Sequence, residues 1–213
     1  MYKKFFSTNV LPKIDLTDEE LKTIAEKSVN KGFTVTGVQK KLSLHLTADS
    51  QPRLTIENFP NGYILKPQTA EYKFLPESEY CVMEMAKATK IKTVPFALIK
   101  TDSSFAYITK RIDRIINTKD VHDIEMLAME DFCQLDGKLT LDKYHGSYER
   151  CAKIIEKYSS QKELDKSELF LRLVFSFVTG NSDMHLKNFS LIENAYKSGE
   201  IYYLLPMTCF QSS

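Results

Sequence analysis

The stretch that decides the fold is Gly180-Asn181-Ser182-Asp183-Met184-His185-Leu186-Lys187-Asn188-Phe189-Ser190. An amphipathic run from Lys166 to Val178 comes before it, and a strand-like Phe189-Ser190-Leu191-Ile192 ends it, so the order predicted is helix, polar loop, strand. The loop carries a carboxylate, Asp183, and a carboxamide, Asn188. A carboxylate can accept or position the proton of an attacking hydroxyl, and an amide oxygen suits a hard cation. Lys187 adds a positive charge able to offset a transferred anionic group. Taken singly, each residue reads equally well as a cap on neighbouring backbone. The set, in this setting, points to catalysis.

Composition frames that reading. The 213 residues are 43% hydrophobic and 27% charged, an ordinary globular balance with room for one large domain or two small ones. Twenty-nine Lys and Arg against 28 Asp and Glu leave a net charge of +1, which argues against direct nucleic-acid binding. Cys81, Cys133, Cys151 and Cys209 are scattered without a C-x-x-C pair, so neither a zinc site nor a disulfide framework is expected and a reducing cytoplasm fits. Met1-Tyr2-Lys3-Lys4-Phe5-Phe6 is followed by no long apolar stretch, and the greasiest run, Leu169 to Val178, is broken by Arg172. No membrane segment is expected.

Outward from the loop, the first half is rich in strand signals. Phe33 to Val38, Lys41 to Leu46, Arg53 to Ile56, Tyr63 to Leu65, Val94 to Ile99 and Phe105 to Thr109 are β-branched or alternating runs. Thr17 with Glu20 makes a capping box for an early helix to about Ser28, and Pro76 opens an inserted helix through Ala88. The second half predicts helices over Glu125 to Gln134, Ser147 to Tyr158 and Lys166 to Val178. The class is therefore α+β, with a strand-rich part over 1–114 and a helical part over 115–213.

Four further motifs flank the loop. Thr34-Val35-Thr36-Gly37-Val38-Gln39-Lys40-Lys41-Leu42 sets a glycine and two lysines between strands, where backbone can approach phosphate. Tyr63-Ile64-Leu65-Lys66-Pro67 ends an apolar strand on a lysine, and Glu79 on the next helix is either its partner or a surface carboxylate. Lys110-Arg111-Ile112-Asp113-Arg114 is a basic stretch at the junction of the two parts, in which Asp113 can pair with an arginine. In Glu130-Asp131-Phe132-Cys133-Gln134, Phe132 reads as core and the acidic pair as a cap or a helix face.

The spacing of Asp183 and Asn188 matches the protein-kinase catalytic loop. The five motifs, in their order over roughly residues 30 to 206, resemble the HipA-family serine/threonine kinases, toxin halves of bacterial toxin–antitoxin modules. The resemblance implies a two-lobed, protein-kinase-like fold with ATP and Mg2+ as cofactors. It implies Asp183 as catalytic base with Lys187 beside it, Asn188 as magnesium ligand and His185 as a neighbour in the nucleotide site. Lys66 would bind the ATP phosphates, Thr36, Gly37, Val38, Gln39, Lys40 and Lys41 would cover them, and Lys110, Arg111 and Ile112 would form the adenine hinge. Thr34 and Thr36 fall at the family's autophosphorylation positions. The implied partners are a HipB-like helix-turn-helix antitoxin, a separate protein resembling the family's N-terminal subdomain, and a protein substrate such as an aminoacyl-tRNA synthetase.

Three departures accompany the resemblance. The N-terminal subdomain of full-length HipA is not in the sequence, and Lys110 stands where an acidic residue is usual. After the strand Ile201 to Leu205 the family continues to a Tyr-Asp pair whose Asp holds magnesium. Here Cys209 takes that place, and a neutral thiol is a poor ligand for a hard cation. This implies a C-terminally truncated kinase with a frame slip just after Met207, or alternatively an impaired pseudokinase or antitoxin-binding module. Helices absent from the second lobe would leave apolar surface of the Lys166 to Val178 helix exposed.

Overall fold

The computed structural model describes residues 5–6, 10, 12–14, 16–21, 23–24, 41–47, 51–55, 62–116, 124–181, 184–194 and 202–204. The chain forms two compact units, Met1–Cys81 with Val94–Ile124, and Val82–Thr93 with Glu125–Ser213.

The first unit is built on a six-stranded sheet. Its strands are β1 (Lys13–Ile14), β2 (Leu42–Leu46), β3 (Arg53–Thr55), β4 (Tyr63–Pro67), β5 (Phe96–Lys100) and β6 (Phe105–Lys110), in the order β1-β3-β2-β4-β6-β5. Only β1 and β3 run parallel; the other neighbours are antiparallel. Side chains alternate between faces along each strand. Leu42, Leu44, Tyr63, Leu65, Ala97, Ile99, Ala106 and Ile108 thus share one face and close a core with Phe5, Phe6, Leu21 and Leu54. The same alternation turns Lys66 to the other face, opposite Tyr107 in the register of β4 and β6. Helix α1 (Leu75–Ala88) supplies Tyr80, whose ring meets Phe96 edge-on at 5.5 Å, on this second face. The expected capping box is present: Thr17 N–H donates to Glu20 Oε2 at 2.8 Å and Glu20 N–H to Thr17 Oγ1 at 3.2 Å.

Short strands β7 (Arg114–Ile116) and β8 (Ile124–Met126) lie along the chain between the two groups of elements. In the second unit, β9 (Met129–Asp131), β10 (Ser190–Glu193) and β11 (Tyr202–Leu204) form an antiparallel sheet in the order β11-β10-β9. Helices α2 (Phe132–Leu135), α3 (Tyr148–Tyr158) and α4 (Lys162–Val178) accompany it. Helix α3 presents Cys151, Ile154 and Ile155, an i, i+3, i+4 stripe, to a core shared with Phe132, Cys133, Leu169, Leu186, Phe189, Leu191 and Leu204. Its N-cap is Ser147, whose Oγ accepts from Arg150 N–H at 3.3 Å.

The helix predicted over Glu125 to Gln134 is corrected. Half of it is strand, in β8 and β9, and only Phe132–Leu135 is helical. Glu, Met, Leu and Ala favour a helix locally, but Met129, Glu130 and Asp131 pair with Ile192, Leu191 and Ser190, and that tertiary ladder overrides propensity. Helix α4 also starts four residues earlier than predicted, at Lys162, with Glu163 and Asp165 in its first turn. Its face carrying Phe170, Val174, Phe177 and Val178 is exposed. Among the described residues no helix is long and apolar enough to cross a membrane.

One buried carboxylate ties the second unit together. Asp165 on α4 accepts from Ser159 Oγ at 2.5 Å, from Gln161 Nε2 at 3.0 Å and from the Leu204 backbone N–H of β11 at 2.9 Å. Removing it leaves buried donors without an acceptor, which typically costs more than the bond itself contributes. Asp165→Ala should lower the unfolding free energy by about 3 kcal/mol and speed amide exchange at Leu204. Urea unfolding and hydrogen exchange check this, and an unchanged midpoint would show the network to be dispensable.

Candidate active site

Lys66 is 2% exposed and forms an ion pair with Glu79 of α1, itself 3% exposed. Its ammonium also lies 5.5 Å from the centroid of the Tyr107 ring, whose cross-strand position puts it beneath the lysine. Phe96 stacks on Tyr107 at 6.2 Å, so an aromatic wall of Tyr80, Phe96 and Tyr107 borders the pair. Of the two readings open for Glu79, the structure gives the partner and not the surface carboxylate. Burying two charges costs several kcal/mol per ion, and their attraction repays this only in good geometry. An apolar pair would serve stability at least as well, so the ion pair marks a functional candidate.

At the end of β6, Lys110 N–H donates to Pro95 O at 3.0 Å and Arg111 N–H to Gly62 O at 2.8 Å. Both amides are thus committed within the first unit. The Arg111 guanidinium grips Asp113 with two bonds, Nε to Oδ1 at 3.0 Å and Nη2 to Oδ2 at 2.6 Å, and Arg114 adds a contact at 3.2 Å. Burial pushes the Asp113 carboxyl up, but the Arg111 hydrogen bonds and the two arginine charges hold it below the usual aspartate range. Ile112 lies half-buried between these paired residues.

Helix α4 ends on Gly180 at φ +72°, with Asn181 N–H bonded to Ser176 O at 2.9 Å and Gly180 N–H to Phe177 O at 3.3 Å. This double closure uses a left-handed residue, which glycine adopts without strain. The loop entered there holds Asp183, which lies outside the described residues, as do Thr34, Thr36, Gly37, Val38, Gln39, Lys40 and Cys209. Lys41 is described, immediately before β2.

From Met184 the loop is firmly held. Leu186–Asn188 is a single 3-10 turn with His185 at its N-cap and Asn188 N–H bonded to His185 O at 2.9 Å. The buried Leu186 donates its N–H to Lys143 O at 3.2 Å. The His185 ring meets Tyr144 edge-on at 5.1 Å. Gly146 sits so close that a Cβ there would come within 2.7 Å of Leu186 Cγ, so only glycine lets the two segments approach. On the other side Lys187 Nζ is 3.5 Å from Asp131 Oδ2. Asp131 is also the N-cap of α2, in a reciprocal capping box with Gln134. Asn188 Nδ2 reaches Met184 Sδ at 3.9 Å, and Phe189 packs on Phe132 at 5.7 Å between ring centroids.

The structure thus gathers His185, Lys187 and Asn188 in one turn of the second unit and sets Lys66 in the first. Sequence reasoning missed Tyr107, Tyr144, Gly146 and the link from Asp131 to Lys187. The only local signal was the Asp131-x-x-Gln134 capping pattern. Among the described residues no group of three His, Cys, Asp or Glu side chains is placed to hold a metal ion.

Glu79→Ala should destabilise the first unit by about 3–5 kcal/mol, because it removes the carboxylate paired with a buried ammonium. The double replacement Lys66→Met with Glu79→Leu should recover most of that loss. Denaturant midpoints of the three proteins check it; a neutral Glu79→Ala would mean that the pair is not buried in solution.

Comparison with known proteins adds the family. Residues 33–212 match the HipA-like C-terminal domain. A Haemophilus influenzae protein named "Putative kinase" is 29% identical over 187 residues, 85% of this chain and 53% of its own length. Two Sinorhizobium fredii proteins with the same designation are 27% and 30% identical, over 84% and 82% of this chain and 43% and 44% of theirs. The chain therefore spans about half the length of the curated relatives it matches. Among solved structures, HipA of Shewanella oneidensis MR-1, in a complex with HipB and operator DNA, superposes with a TM-score of 0.66 at 19% identity, covering 86% of this chain and 48% of that one. The Helicobacter pylori proinflammatory kinase CtkA gives 0.53 at 16%, covering 73% and 54%. At these identities the likeness is one of fold, a mixed α+β, kinase-like fold. With 180 of its 213 residues (33–212) inside the domain match, the chain belongs to the HipA-like C-terminal domain family.

Proposed function

We propose that this chain carries the core of an ATP-dependent protein serine/threonine kinase. The observation that carries the reading is the buried Lys66–Glu79 pair, an ammonium fixed by one carboxylate and one aromatic ring at the end of a strand. That is the arrangement phosphoryl transfer asks of a phosphate-gripping lysine. The kinase designations of its relatives support the same reading.

Nucleotide phosphates fit Lys66, since a buried cation already oriented needs little reorganisation to hold an anion. ATP, when bound, supplies the phosphoryl group. Asp183 takes or positions the proton of the acceptor hydroxyl, and Lys187, restrained by Asp131, offsets charge at the transferred group. Asn188 offers an amide oxygen to Mg2+, but the described residues do not make a complete cation site around it. Lys110, Arg111 and Ile112 serve as hinge through groups other than the Lys110 and Arg111 amides, which are bonded to Pro95 O and Gly62 O, and Thr34 and Thr36 receive phosphate from the chain's own site. The partner we infer is a HipB-like antitoxin, on the analogy of the Shewanella complex, and the substrate a protein, with an aminoacyl-tRNA synthetase as the first to try. The compartment we infer is the cytoplasm, where Cys81, Cys133 and Cys151 remain free thiols.

A second reading, an antitoxin-binding module without turnover, is favoured by Cys209, a neutral thiol being a poor ligand for a hard cation. Incubation with labelled ATP and magnesium separates the two. The kinase reading expects label on Thr34 or Thr36, reduced at least about 100-fold by Asp183→Ala and lost in Lys66→Met. Neither label nor nucleotide binding, with antitoxin binding retained, would establish the module instead.

A further inference from the structure

Between Lys138 and Tyr148 the second unit exposes several large apolar side chains, as α4 does along Phe170, Val174, Phe177 and Val178. Leu139 is 73% exposed, Leu141 89%, Tyr144 57% and Tyr148 50%. Four large apolar side chains thus face solvent within ten residues. Single exposed hydrophobics need no explanation, but several so close along one short segment suggest an interaction site.

The backbone beneath these side chains is pinned. The Cys133 thiol, in the core, donates to Leu139 O at 3.2 Å and lies 3.5 Å from Lys138 O. Asp142 N–H bonds Leu139 O at 2.9 Å, closing the 3-10 turn Thr140–Asp142, and His145 N–H bonds Asp142 O at 2.8 Å. The Lys138 ammonium donates to His145 O and lies 3.2 Å from Asp136 Oδ2. The leucines are therefore presented by a turn whose shape is set in advance, which lowers the entropy cost of docking.

The same segment braces the candidate catalytic loop. Lys143 O accepts from Leu186 N–H, Tyr144 packs edge-on against His185, and Gly146 abuts Leu186. An occupant touching Tyr144 would lie next to His185. Of the reactants in the proposed transfer, the nucleotide is recognised through phosphates, for which exposed leucines have no use. A polypeptide bringing the acceptor hydroxyl has the matching chemistry.

We infer that Leu139, Leu141 and Tyr144 form the docking ledge for the protein substrate, selecting large apolar side chains near the acceptor serine or threonine. This rests on the kinase reading for its role but not for its test. Degenerate peptide pools with a central Ser or Thr, fixed to Leu and Phe or to Asp and Lys at flanking positions, are passed over the immobilised full chain. They are compared on wild type and on Leu139→Ser with Leu141→Ser, two exposed sites where folding tolerates change. Apolar pools should be retained on wild type and lose about ten-fold on the variant. Equal retention on both overturns the inference. Adding magnesium and ATP then reports phosphorylation separately. Retention that depends on the ledge without phosphate transfer removes the kinase reading and keeps the site. Phosphorylation indifferent to the ledge does the reverse. Sedimentation completes the test: a wild-type dimer that the variant abolishes, with no peptide retained, assigns the ledge to a second copy and overturns the inference.

Discussion

The first unit is organised around the need to neutralise one buried ammonium. The alternation of β4 sends Tyr63 and Leu65 into the apolar core and obliges Lys66 to occupy the opposite face. That face is covered, so the charge needs a carboxylate within contact distance, and α1 supplies Glu79 from its second turn. The cross-strand register brings Tyr107 beneath the same ammonium, and Phe96 and Tyr80 extend the wall. None of this arrangement is the cheapest route to a stable sheet, because two apolar residues would remove the desolvation cost altogether. Under the proposed kinase reading the pair would be a phosphate grip, with the sheet, the inserted helix and the aromatic wall as its supports.

The second unit solves a different problem, holding a polar turn still while its side chains remain accessible. Leu186 is the anchor: it is buried, while its neighbours His185 and Lys187 are only half-buried. The turn is fastened through backbone to Lys143, through ring contact to Tyr144 and through charge to Asp131. Two glycines make this possible for separate reasons. Gly180 reverses the chain out of α4 at a positive φ, and Gly146 removes a methyl group that would otherwise force Leu186 out of the core.

What could be read from the sequence follows from how local each cause is. The helix–loop–strand order around residue 185, the strands β2, β4, β5 and β6 and the helices α1 and α3 all rest on periodicity, caps and breakers within a few residues. The helix expected over Glu125 to Gln134 fails because its composition favours a helix while Met129–Asp131 is claimed by β10, about 60 residues away along the chain. Glu79 could not be assigned from sequence, since a glutamate on a helix is buried or solvated according to which face meets the sheet. Asp113 pairing with Arg111 was legible because the two are neighbours. Tyr144 and Gly146 carry no local signal at all; their meaning comes from Leu186, about 40 residues further on.

Fold and turnover depend on very different numbers of atoms. The sheet of the first unit and the core around Phe132 and Leu186 draw on many side chains, and such cores accept exchange of one apolar residue for another of similar volume. A TM-score of 0.66 at 19% identity reflects that tolerance. The proposed phosphoryl transfer would instead depend on a few donors whose chemistry is not interchangeable: a carboxylate at Asp183, an amide oxygen at Asn188, an ammonium at Lys66. The thiol of Cys209 differs from a carboxylate in affinity for a hard cation. Family membership therefore rests on pattern spread through the chain, whereas the rate of chemistry rests on single positions. A sequence can keep the first in full while the second is altered at one residue.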